Sequence, residues 1–67
     1  MSIRVGNTGD VVVQIQNQLN HVGGYKLAVD GIFGGGTKNA VVDFQRKKGL
    51  TADGVVGSNT WLSLIHI

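Results

Sequence analysis

The residues best suited to chemistry are four carboxylates, Asp10, Asp30, Asp43 and Asp53; the chain has no Glu. General acid–base work needs a carboxylate pair held around a substrate in a concave site. The contexts of these four point elsewhere. Asp30 opens the run Asp30-Gly31-Ile32-Phe33-Gly34-Gly35-Gly36-Thr37, and Asp53 opens Asp53-Gly54-Val55-Val56-Gly57-Ser58-Asn59-Thr60. The shared pattern is Asp-Gly, two apolar residues, Gly, two spacers, Thr. In such a turn Gly takes a positive φ, and Asp accepts hydrogen bonds from backbone amides just ahead of it. Asp10 falls in the first turn of a predicted helix, where a negative charge suits the macrodipole. Asp43 falls on the outer side of another. All four read as structural, so no enzyme is expected in this chain.

Metal chemistry fares no better. A calcium loop needs oxygen ligands at alternate positions before its Gly and a closing bidentate acid. The residues two and four before Asp30 are Ala28 and Lys26; those before Asp53 are Thr51 and Gly49. Zinc needs three or four ligands, and His21 and His66 are the only imidazoles, with no Cys. Both histidines read as surface residues. No metal and no cofactor is expected.

Three helical segments must position whatever the chain uses. The first spans about Asp10 to Val22, with Val12, Ile15, Leu19 and Val22 on one face, and Gly23-Gly24 stops it. The second spans about Gly35 to Lys48, with Thr37, Ala40, Val41 and Phe44 inward. Gly49-Leu50 then fits a Schellman ending. The third starts near Ser58, with Thr60, Trp61, Leu64 and Ile67 inward. Gly9, Gly34 and Gly57 each stand three residues before a β-branched residue, Val12, Thr37 and Thr60. The same register continues to Ile15, Gln16 and Leu19, to Ala40, Val41 and Phe44, and to Ser63, Leu64 and Ile67. Three equivalent stripes predict an all-α, compact three-helix bundle with two equivalent Asp-Gly turn loops. Phe33 and Val56 plug its core from the loop side. No strand-like alternation of useful length appears.

A chain of 67 residues is one domain, here 1–67. It buries a small core, and with no disulfide it depends on close packing and well-made turns. Net charge is +2, a weak bias toward an anionic partner. The basic run Arg46-Lys47-Lys48 ends the second helix, where it compensates the dipole. No aromatic stacking series accompanies it, so nucleic acid is not an expected partner. No apolar run is long enough to insert in a membrane. The start, Met1-Ser2-Ile3-Arg4-Val5, is too short in its apolar part for a secretion signal. The chain is then exported without one, or is a module of a larger protein; a monomer is expected.

In this order the residues resemble a known family, the three-helix peptidoglycan-binding domain of bacterial and phage cell-wall hydrolases. The likeness runs through Gly9-Asp10-Val11-Val12, Ile15-Gln16, Leu19 and Val29-Asp30-Gly31-Ile32-Phe33-Gly34. It continues through Thr37, Ala40-Val41, Phe44-Gln45, Gly49-Leu50, Asp53-Gly54-Val55-Val56-Gly57, Thr60-Trp61 and Leu64. Gly35-Gly36 departs from it, since Pro or a charged residue is common there. The resemblance implies a non-catalytic module that binds the glycan or stem peptide of murein. It would hold a tethered hydrolase, such as a phage endolysin, at the bacterial cell wall as that protein's N-terminal module. The alternative is a protein-interaction or pro-domain-like module on the same fold; related pro-domains carry a cysteine, absent here.

For such a ligand Trp61 and Tyr25 offer aromatic platforms, and Gln14, Asn17, Gln18 and Asn59 offer neutral hydrogen bonds. Helix starts near Gly34 and Gly57 expose orphan amides. The candidate ligand-binding set is Gln14, Gln18, Tyr25, Asp30, Gly31, Phe33, Gly34, Thr37, Asn59, Thr60 and Trp61. If the two turns are adjacent, the site is expected between them.

Overall fold

Glycine punctuation and apolar spacing produce three helices: α1 (Asp10–Gly23), α2 (Gly35–Lys47) and α3 (Ser58–Ile65). The computed structural model describes residues 2–65; the expectations for Ile67 and His66 lie outside them. Helix α1 is central and packs against both α2 and α3. Its stripe of Val12, Ile15 and Leu19 meets Ala40, Val41 and Phe44 of α2 and Leu64 of α3, and all are buried. Phe33 and Val56 close this core from the loops at 1% and 0% exposure, as their positions led us to expect. Ser63 is half-buried.

The helix ends follow from local chemistry. Gly9 precedes α1 at φ +111°, and its carbonyl accepts from the amides of Val12 and Val13. Gly24 ends α1 in the left-handed conformation. After α2 the Leu50 amide donates to the Gln45 carbonyl at 2.8 Å and the Gly49 amide to Arg46 at 3.2 Å. With Gly49 at φ +71°, this is the anticipated Schellman ending.

One position departs from expectation. Val22 is 41% exposed and lies outside the core. The stripe steps from Leu19 by four residues to Gly23 rather than by three to Val22. There the Tyr25 ring lies against bare backbone: a Cβ on Gly23 would stand 2.2 Å from Tyr25 Cε2.

Residues 3–9 also have a job that no periodicity revealed. Ile3 exchanges both backbone hydrogen bonds with Val56, at 3.1 and 2.8 Å. The Gly6 amide donates to the Phe33 carbonyl, the Phe33 amide to the Asn7 carbonyl, and the Gly9 amide to the Gly31 carbonyl, at 2.9–3.1 Å. Between these contacts Asn7 closes a turn, accepting the Arg4 amide on Oδ1 at 2.8 Å. The N-terminal segment is thus an extended strap tied to both Asp-Gly loops.

Candidate functional site

Two buried glutamines organise both loops. Gln16 of α1, 1% exposed, accepts the Gly31 amide on Oε1 at 3.0 Å. Its Nε2 donates to Asp30 Oδ1, the Ile32 carbonyl and Thr37 Oγ1 at 3.0–3.1 Å. Gln45 of α2, also 1% exposed, repeats this with the next loop. It accepts from the Gly54 amide at 3.0 Å and donates to Asp53 Oδ1, the Val55 carbonyl and Thr60 Oγ1 at 2.9–3.1 Å. Two amide hydrogens reach three acceptors in each case, so one is shared. Each hub ties a helix, the turn after it and the first turn of the next helix. Gly31 and Gly54 hold φ +74° and +73°, which lets their amides point at the glutamine oxygens.

The carboxylates take the structural roles their contexts suggested. Asp30 Oδ1 also accepts the Ile32 amide at 3.0 Å, and Asp53 Oδ1 the Val55 amide at 2.9 Å. The Gln16 bond, then the Ile32 amide, holds the Asp30 carboxyl below its ordinary range. The Val55 amide leads in lowering Asp53, with Gln45 assisting. Asp43 accepts the Tyr25 hydroxyl at 2.5 Å and Lys47 Nζ at 3.1 Å, and the Tyr25 bond is the main cause of its lowered value. Burial, then the Asp43 bond, pushes the Tyr25 hydroxyl up to about 12. Among the described residues no three His or Asp side chains gather as a metal site.

These shifts make stability depend on pH at both ends. The three aspartates bind protons less readily folded than unfolded. Their contribution is complete above the ordinary carboxylate value of about 3.9 and is lost as pH falls through their lowered folded values. Tyr25 behaves oppositely: its contribution is complete below about 10 and is lost as pH rises through about 12. Melting temperature measured against pH is expected to fall on both limbs, and Tyr25→Phe to flatten the alkaline limb and, by removing the bond that chiefly lowers Asp43, part of the acid one. An alkaline limb unchanged in Tyr25→Phe would contradict the Tyr25–Asp43 assignment.

The expected site residues separate into distinct places. Gln14 and Gln18 of α1 meet Trp61 of α3, joined by Asn17 and Ile65, around a cleft of about 330 Å³. Asp30, Gly34 and Thr37 border a depression of about 170 Å³ beside the first turn. Asn59 and Thr60 border one of about 240 Å³ beside the second. Tyr25 stands apart, against Gly23, Asp43 and Lys47, whose Nζ lies 5.5 Å from its ring centre.

Four positions need correcting as ligand contacts. Phe33 is core, and Gly31 is buried with its amide held by Gln16. Thr37 and Thr60 are 5% and 4% exposed, with their hydroxyls inside the hubs. Nor does one site form between the turns. The strap is bonded to both loops, and the two depressions share no lining residue. The glutamine hubs had one signal in the sequence: Gln16 and Gln45 are amides set among apolar stripe residues.

A three-helix scaffold with Asp30 and Asp53 engaged in turns and Asp43 in a surface pair defines a small three-helix module. The chain belongs to the peptidoglycan binding domain family, which it matches over residues 8–64. It is similar to the spore cortex-lytic enzyme of Bacillus cereus, 41% identical over 63 residues that cover 94% of this chain and 24% of that protein. A Burkholderia AP3 phage endolysin superposes with a TM-score of 0.92 at 39% identity, over 98% of this chain and 25% of that one. The SleB N-terminal domain does so with 0.91 at 40% identity, over 97% of this chain and 89% of that one. The chain thus spans about a quarter of the length of the full-length relatives and nearly all of an isolated domain.

Proposed function

We propose that this domain binds peptidoglycan and holds an attached hydrolase on the bacterial cell wall. The observation that carries this reading is the family match across residues 8–64. The geometry agrees with it: Asp30 and Asp53 shape turns and Asp43 pairs with Tyr25 and Lys47, which suits recognition rather than catalysis. Two relatives named for wall lysis favour murein over a protein partner. The module is read as a monomer that acts at the wall; among the described residues no helix is long and apolar enough to cross a membrane.

Such a module works by effective concentration. Fused to a murein hydrolase catalytic domain, it is expected to speed clearing of insoluble sacculi about tenfold or more while leaving cleavage of soluble muropeptides unchanged. Equal rates on sacculi with and without the domain would count against anchoring.

A further inference from the structure

Each depression beside an Asp-Gly turn is bordered by a carboxylate, Asp30 or Asp53, and Asp30, Thr37, Asp53 and Thr60 are engaged by Gln16 and Gln45, although Thr51, Ser58 and Asn59 also border the second. The cleft between α1 and α3 differs. Asn17 and Gln18 sit one turn after Gln14 on α1, and the three face Trp61 and Ile65 of α3. Gln14 and Asn17 are exposed, and among the described residues their side chains have no hydrogen-bond partner. Gln18 donates Nε2 to the Leu64 carbonyl at 2.9 Å, which pins one wall to the other and leaves its side-chain oxygen without a partner there.

A primary amide both donates and accepts, so this row complements a secondary amide, which presents one N–H and one C=O. Trp61, half-buried, and Ile65 supply an apolar wall of the kind that packs against a methyl group or a sugar ring. Among the described residues no charged side chain lines the cleft. A carboxylate-bearing peptide would meet no cation among them and would lose its hydration without compensation. The volume of about 330 Å³ lies at the small end for ligand pockets, about 300–1,000 Å³, which suits a short piece of a polymer.

Resting on the murein-binding reading above, we infer that this cleft takes a neutral N-acetylated sugar of the glycan strand. The acetamido group meets the amides of Gln14, Asn17 and Gln18, and the sugar ring lies along Trp61. Stem peptide binds elsewhere or follows passively.

The test uses an N-acetylglucosamine tetramer, a glucosamine tetramer and a free stem pentapeptide, each titrated into the chain and followed by NMR. The N-acetylated tetramer is expected to shift the side-chain amides of Gln14 and Asn17 and the Trp61 indole N–H saturably, and the glucosamine tetramer to leave them in place. The double variant Gln14→Ala, Asn17→Ala is expected to lose at least tenfold in affinity for the tetramer and for sacculi. Its melting temperature is expected to stay unchanged, because both side chains are exposed and Ala is a strong helix former. Shifts produced by the pentapeptide instead of the sugar would overturn the inference. So would full sacculus binding by the folded double variant, which would leave murein binding itself standing. A parent chain that ignores sacculi would remove both.

Discussion

Gln45→Ala is expected to leave this domain largely unable to hold its native state. The substitution removes four hydrogen bonds made by a side chain that is 1% exposed. It strands the buried Gly54 amide, the Val55 carbonyl and the Thr60 hydroxyl where little water reaches. A buried group left unsatisfied costs about 1–3 kcal/mol, and the emptied volume adds to that. The expected loss is about 3–5 kcal/mol, against a total stability of roughly 3–10 kcal/mol for a domain this size. Gln16→Ala is expected to behave alike. Gln14→Ala, two residues away on the solvent face, should fall within about 0.5 kcal/mol of the parent. Urea unfolding followed by far-UV circular dichroism separates these outcomes. A loss below about 1 kcal/mol in Gln45→Ala would mean the hub is not what holds the second loop.

Phe33→Ala is the second large effect. The ring is 1% exposed in the loop that covers the core, and truncating a buried Phe typically costs about 3–5 kcal/mol. A core role and a ligand-contact role make opposite forecasts. The core role predicts that sacculus binding falls only as the folded fraction falls, and that a folded Phe33→Leu binds like the parent. A ligand contact would lose affinity at unchanged melting temperature. Measuring both quantities on both variants decides between them.

The helices were legible because their signals are local. A Gly before each stripe, a β-branched residue three positions on and the Gly49-Leu50 ending each act within one turn of chain. The strap was not legible. Ile3, Gly6 and Asn7 pair with loop residues 26–53 positions away, and so short an extended stretch carries no period. Val22 was placed inward by a three-residue step; the structure used a four-residue step to Gly23 because the Tyr25 ring needed bare backbone. Phe33 was readable both as core and as ligand contact, and only burial decides between the two.

The candidate site divides along the same line. Gln14, Gln18 and Trp61 meet because α1 packs on α3, a contact that spacing within one helix does not encode. Tyr25 was grouped with Trp61 by residue type alone and lies instead with Asp43 and Lys47. The polar character of Gln16 and Gln45 was plain, but their work depends on loops that follow them by 14 and 8 residues.

The proposed mode of action is murein binding by this hub-stiffened module through a fitted, uncharged surface. Co-sedimentation of the intact chain with purified sacculi, repeated from low salt to about 1 M, tests it most directly. Exposed charges more than about 3 Å apart are screened at 1 M, so binding by the basic run Arg46-Lys47-Lys48 would vanish there. Saturable binding that persists to the highest salt is expected. Absence of binding at low salt, or its complete loss at modest salt, would contradict it.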